Sequence, residues 1–215
     1  MIIQNFILNF LQQNTWVLID EESKEAIVID LGGDYKRVFD YIKEQGATLK
    51  FILNTHGHFD HINGESLMQT DGIDIPIYMS AADEFVVQKL PKEMEGYGYE
   101  QEYPPVKVTK YIDKNSKLSF GKYDIKVLET PGHTKGGLCF IIDGKLFTGD
   151  TLFKDTIGRC DIDGGNMSDM LHSLKHCIYD LPDDTEIFPG HGENTTVGRE
   201  KKKNPYLKKL TSRFL

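Results

Sequence analysis

The chain is expected to be an α/β protein built as a four-layer αββα sandwich. Three observations point there: short apolar runs of strand length fall into two groups, helical patterns intervene between and after them, and the residues able to do chemistry sit at the ends of the runs. In the first half, Thr15 to Asp20, Ala26 to Asp30, Phe51 to Asn54 and Ile75 to Met79 read as strands, because their apolar residues alternate or run continuously. Tyr35, Val38, Phe39 and Ile42 recur at helical spacing before Gly46, and Ala81 to Leu90 reads as a second helix ended by Pro91. The second half repeats the theme, with strands near Val106 to Ile112, Ile125 to Thr130, Leu138 to Ile142 and Leu146 to Gly149, then a helix near Met167 to Tyr179. The stretch from Pro91 to Pro105, broken by Gly96, Gly98, Pro104 and Pro105, is the expected irregular element. Its Tyr97, Tyr99 and Tyr103 would either wall a substrate pocket as a lid or pack a surface loop among themselves. No linker or low-complexity segment divides the chain, so 1–215 is expected to form one domain.

Composition narrows the function classes. At 215 residues the chain can bury a sizeable core. A net charge of −8 argues against a nucleic-acid footprint. No apolar run approaches the roughly 20 residues of a membrane span, and Met1 to Asn5 has no basic leader, so a cytoplasmic protein is expected. Cys139, Cys160 and Cys177 are odd in number and not in C-x-x-C spacing, which argues against a disulfide framework. Cys139 reads as core; Cys160, beside Arg159, reads as a loop residue near the site.

The richest segment is Thr55-His56-Gly57-His58-Phe59-Asp60-His61, with three imidazoles and a carboxylate in six residues. In an extended segment i and i+2 point the same way, so His56 and His58 can share one ion while Asp60 and His61, after a turn, face another. His133, Asp150 and His191 each follow an apolar run and stand beside glycine, and five of the seven histidines fall in these segments. Any one of them alone would read as a buried, hydrogen-bonded histidine; their recurrence at strand ends points to metal. Imidazole with carboxylate suits zinc, iron or manganese better than calcium.

His56-x-His58-x-Asp60-His61 followed by His133, Asp150 and His191 resembles the metallo-β-lactamase superfamily over nearly the whole chain. The resemblance implies a metallo-β-lactamase-type sandwich with the site at one edge between the sheets. It implies two divalent ions, zinc first with iron or manganese permitted: one on His56, His58 and His133, the other on Asp60, His61 and His191, with Asp150 and a hydroxide bridging them. That hydroxide would be the nucleophile, and Asp60 could orient it or take its proton.

Within the superfamily, flavodiiron members usually carry Glu where this chain has His58. True β-lactamases tend to lack counterparts of Asp150 or His61. The remaining branches are glyoxalase II-like thioesterases and the iron-dependent persulfide dioxygenases, the latter with one iron on His56, His133 and Asp150. Thr151-Leu152-Phe153 and Gly158-Arg159-Cys160-Asp161 resemble segments of short glyoxalase II-like hydrolases. The substrate implied is a small acyl thioester such as S-lactoylglutathione. Arg159 would hold a substrate carboxylate, or else pair with Asp161 or Asp163. The helical domain with which longer glyoxalases grip glutathione is not expected, and Lys201, Lys202, Lys203, Lys208 and Lys209 read as a solvated basic helix. His172 and His176 share a helix face without the Glu of a His-Glu-x-x-His motif. Leu31-Gly32-Gly33 and Trp16 are read as turn and packing.

Overall fold

A computed structural model describes residues 1–210; the last five of the expected domain, 211–215, lie outside the described residues. Two six-stranded sheets face each other. The first contains β1 (Ile2–Leu8), β2 (Gln13–Ile19), β3 (Glu25–Ile29), β4 (Thr48–Leu53), β5 (Ile77–Met79) and β6 (Lys110–Tyr111), in that spatial order. The second comprises β7 (Leu118–Phe120), β8 (Tyr123–Glu129), β9 (Leu138–Ile142), β10 (Lys145–Gly149), β13 (Glu186–Pro189) and β14 (Thr195–Thr196), in the order β14-β13-β10-β9-β8-β7. A small hairpin of β11 (Leu152–Phe153) and β12 (Thr156–Ile157) follows β10.

Period-two alternation makes the layers. Trp16 and Leu18 point into the core between the sheets, with Ile27, Leu53, Phe140 and Phe147. Val17 and Ile19, their neighbours on β2, enter a second core beneath the helices of the first sheet. A third core, with Cys139, Leu146, Met170 and Ile187, lies on the far side of the second sheet. Helices α1 (Tyr35–Glu44) and α2 (Phe59–Thr70) connect parallel strands of the first sheet, β3 to β4 and β4 to β5. Helix α5 (Met167–Ser173) runs into one π-turn at Leu174–Ile178 and covers the second sheet. The αββα class expected from the sequence is the class observed.

Several elements differ from expectation. The helix expected over Ala81 to Leu90 is a 3₁₀ turn, Ala81–Asp83, followed by a short α3 (Glu84–Val87). Pro91 starts a helix instead of ending one: it lies in the first turn of α4 (Leu90–Gly96), where its missing N–H would have had no partner in any case. The irregular stretch is therefore helical up to Gly96. The strand expected over Val106 to Ile112 is ordered as a ladder only at β6. Helix α2 was not foreseen, because residues Phe59 to Ser66 are all buried, so no amphipathic stripe marks it. At the C-terminal end, α6 (Val197–Lys203) and α7 (Pro205–Lys209) carry the five lysines. No helix among the described residues is long and apolar enough to cross a membrane.

Candidate metal centre

The seven candidate ligands gather at one edge of the sandwich. His56 and His58 follow β4, Asp60 and His61 occupy the first turn of α2, and His133, Asp150 and His191 follow β8, β10 and β13. Strands β10 and β13 are parallel, with Gly149 opposite Pro189, so Asp150 and His191 leave the second sheet side by side. Gly149 has φ of 47°, and a Cβ there would stand 2.2 Å from Thr55 Oγ1. Glycine thus lets the Asp150 loop of one sheet lie against the His56 loop of the other.

Two triads of donor atoms result, His56–His58–His133 and Asp60–His61–His191, each with its atoms within 4.8 Å of one another. In the first, His58 Nδ1 is 2.8 Å from His133 Nε2. In the second, His191 Nε2 is 3.2 Å from Asp60 Oδ2 and 3.3 Å from His61 Nε2. A tetrahedral ion with bonds of about 2.0–2.1 Å spaces its donors roughly 3.3 Å apart, so the second triad already has the spacing of a ligand set. Asp150 stands between the triads. Its Oδ2 is 3.5 Å from His133 Nε2, and its Oδ1 is 3.3 Å from His61 Nε2 and 3.7 Å from His191 Nε2.

The outer hydrogen bonds assign the tautomers. Thr55 Oγ1 donates to Asp30 Oδ2 at 2.6 Å and accepts from His56 Nδ1 at 3.0 Å. Asp30 Oδ2 accepts from His61 Nδ1 at 2.9 Å, Arg159 O from His133 Nδ1 at 2.8 Å, and Leu11 O from His191 Nδ1 at 3.1 Å. With these protons on Nδ1, four Nε2 lone pairs face the cleft. His56 Nε2 and Asp150 Oδ1 are buried without a hydrogen-bond partner. A bound cation would satisfy both atoms, so the residues present fit a divalent metal pair.

Electrostatics agree. Burial and the surrounding imidazoles hold His56 well below its ordinary pKa, and burial together with His133 pushes His58 down to about 3. Burial alone would lower His61 too, but Asp150, Asp60 and Asp30 raise it well above the usual histidine value. Against the upward push of burial, His61 holds Asp150 below the usual carboxylate range, and His61 with His191 does the same for Asp60.

A cavity of about 440 Å³ opens over the centre, walled by Leu11, Phe59, Phe153, Ile162, Glu93 and Arg159. Arg159 is exposed and gives Nε and Nη2 to Asp161 at 2.8 and 3.1 Å; Asp163 pairs with Lys89 instead. None of the three tyrosines lines this cavity. Tyr97 packs on Phe59 and Phe10 with ring centroids 4.7 and 5.1 Å apart, Tyr99 packs on Phe10 and Tyr103, and Tyr103 is buried. The wall residue from that segment is Glu93, whose Oε2 is buried and unpartnered. Cys160 is half-buried, with its thiol on Gly158 O, and Cys139 is buried with its thiol pushed up to about 12 by desolvation. His172 and His176 are exposed, with ring centroids 4.4 Å apart and the planes tilted by 44°, and neither lines the cavity.

Sequence reasoning missed Asp30. It groups with His56 and His61, has φ of 57°, and accepts from Thr55 N at 2.7 Å as well as from His61. A left-handed aspartate at a strand end is a strained position that has to be held by its surroundings, yet in the sequence it reads only as the last residue of a strand. Leu31-Gly32-Gly33 and Trp16 also do more than pack. Asn9 Nδ2 ties Gly32 O to Asp60 O, at 2.6 and 2.8 Å, and Trp16 Nε1 donates to Pro189 O at 3.1 Å, just before His191.

Residues 8–191 match a family model described as Metallo-beta-lactamase superfamily. The hydroxyacylglutathione hydrolase GloC of Haemophilus influenzae is 34% identical, over 91% of this chain and 93% of its own. Among solved structures, the BLEG-1 B3 metallo-beta-lactamase is 32% identical with a TM-score of 0.85, covering 96% of this chain and 99% of its own. TTHA1623, solved in a di-iron-bound form, is 30% identical with a TM-score of 0.84, covering 95% and 100%.

Proposed function

The chain belongs to the metallo-beta-lactamase superfamily, and on that premise we propose that it is a two-metal hydrolase of acyl thioesters, with S-lactoylglutathione or a related 2-hydroxyacyl thioester as substrate. The observation that carries the reading is Asp150, whose two oxygens face the two triads separately. His56, His58 and His133 would hold one ion, and Asp60, His61 and His191 the other, with Asp150 shared. When bound, such ions supply Lewis-acid polarisation of a carbonyl and bring the pKa of water towards neutrality.

The chain's own groups supply the rest. Asp60, whose Oδ2 faces the cleft beside His191, would orient an attacking water or take its proton. Asp30 keeps the His61 ring aimed at the cleft. Leu11, Phe59, Phe153 and Ile162 exclude water around the acyl group, and Arg159, at the cavity wall, would exchange Asp161 for a substrate carboxylate. The name of the Haemophilus relative supports a thioester substrate. The three free cysteines support a reducing, cytoplasmic setting, and imidazole-rich triads support zinc, with iron as the permitted substitute. In the rival reading, one iron on His56, His133 and Asp150 catalyses persulfide oxidation. It leaves His58 and the whole second triad unused, and so explains less of the geometry.

The test is metal analysis of freshly purified protein, followed by three assays: thiol release from S-lactoylglutathione, nitrocefin hydrolysis and oxygen uptake with glutathione persulfide. Close to two metals per chain with thiol release is the expected result. A single iron with oxygen uptake and no thiol release would replace the proposal with the dioxygenase. Hydrolysis of nitrocefin alone would keep the metal centre and move the substrate class to β-lactams.

A further inference from the structure

Asp83 is fully buried and far in sequence from every candidate ligand, yet it joins the loops that carry the first triad. Its Oδ2 accepts from Gly57 N, the amide between His56 and His58, at 3.0 Å, and from Thr134 Oγ1, next to His133, at 2.7 Å. Its Oδ1 accepts from Gly136 N at 2.6 Å. One of these loops leaves the first sheet and the other the second, so this carboxylate is a strut across the open end of the sandwich, at the place where His58 Nδ1 and His133 Nε2 come within 2.8 Å. Three donors on one buried carboxylate make a rigid joint, since a charge-assisted bond is about twice as strong as a neutral one and losing any donor leaves a desolvated charge. No bond links Asp83 to Asp60, His61 or His191 or to the residues flanking them. That second triad is braced by Asn9, through Asp60 O, and by Asp30, through His61; Asp30 also reaches His56 by way of Thr55, but it touches neither His58 nor the His133 loop that Asp83 joins.

Resting on the two-metal reading, we propose that Asp83 is the positioning residue of the first metal site: it sets the separation of the His56–His58 loop from the His133 loop, and hence the affinity of that site alone. Asparagine has the shape of aspartate but only one acceptor oxygen, so Asp83→Asn must turn an N–H towards at least one of three donors.

The full chain is stripped of metal and titrated with Zn²⁺ against a chromophoric chelator, for wild type, Asp83→Asn, His191→Ala and the double variant. Asp83→Asn is expected to keep one site at wild-type affinity and weaken the other by about 10- to 100-fold, the range for loss of an outer-shell partner. His191→Ala should retain an ion that the double variant loses. Two sites of unchanged affinity overturn the proposal. Equal weakening of both, with a lower Tm of the metal-free protein, also overturns it, because that is the signature of general structural damage. Should Asp83→Asn fail to fold, Thr134→Val, which removes one donor, must weaken the same site selectively for the proposal to stand. A wild type that binds a single ion refutes the two-metal reading and still judges Asp83 by whether that ion's affinity falls in Asp83→Asn; a wild type that binds none overturns both.

Discussion

At the scale of the residue, the centre depends on atoms that are left without partners inside the protein. Burying His56 Nε2 and Asp150 Oδ1 without a hydrogen bond is unfavourable by about 1–3 kcal/mol each, and a cation reverses the sign. Asp150→Ala removes the carboxylate shared by both triads. Turnover of S-lactoylglutathione should fall at least about 1000-fold, as expected when charge stabilisation and nucleophile placement are lost together, and metal content should drop below two per chain by elemental analysis. A variant that stayed fully metallated and active would show that the two triads do not need Asp150. The seven candidate donors were legible as residue types in the sequence because imidazole and carboxylate beside strand-end glycines have few other uses. Asp30 was not, since an aspartate after a strand is also an ordinary turn residue, and only its placement against His61 and Thr55 reveals its task.

At the scale of the element, α2 is the joint between fold and site. Its first turn carries Asp60 and His61, and its middle is pressed onto the Leu31–Gly33 turn. A Cβ on Gly64 would lie 2.2 Å from Gly33 O and 2.6 Å from Leu31 O, and backbone atoms cannot step aside as a flexible side chain can. Gly64→Ala should therefore cost about 2–3 kcal/mol, the upper range for overpacking, seen as a lower denaturation midpoint, and should weaken the second metal site by displacing Asp60. Glu65, one residue on, is fully buried and accepts from Asn54 Nδ2 at 2.9 Å. Burial drives its carboxyl well above the usual range, so the folded protein keeps a proton that the unfolded chain gives up near its ordinary pKa of about 4.3. Its contribution is then fully present at acid pH and declines as pH rises above that value. Glu65→Gln removes this slope, so its gain in denaturation midpoint over the parent should widen between about pH 5 and pH 8. A gap independent of pH would mean that Glu65 titrates as an ordinary carboxylate. Neither effect could be read in advance, because a helix buried on all sides has no polar face to announce it.

At the scale of the whole molecule, two sheets bring together ligands more than a hundred residues apart, and the core between them keeps the edge in register. Phe140, fully buried at the centre of that core, packs with Leu18, Ile27 and Leu53 of the opposite sheet. Phe140→Ala should lower stability by about 3–5 kcal/mol, measurable by urea titration, and should reduce affinity at both metal sites together, since it loosens the sheets and spares the individual loops. Selective loss at one site would instead mean that the loops hold their positions independently of the core. Asp83→Asn is expected to do the opposite, and the contrast separates a strut from a foundation.

The layer class and the central strands were legible in the amino-acid order, and so were seven residues with the chemistry of metal donors, because alternation and ligand chemistry are local properties of a chain. That order also showed the apolar run that holds Cys139 and the absence of a disulfide pattern. The resemblance already implied the two groups of donors; what folding adds is the distances at which they meet, with Asp150 between them. Folding also settled the two readings of Tyr97, Tyr99 and Tyr103 in favour of aromatic packing, with Glu93 at the cavity wall instead, opened a second helix at Pro91, and gave Asp30 and Asp83 their tasks. Each of these depends on pairing a residue with a partner from a distant segment: Asp30 with His61, Asp83 with Thr134, Trp16 with Pro189. Spacing along a chain carries no record of such pairings, since distance across the sandwich is set by the packing of two sheets whose contact exists only once both have folded.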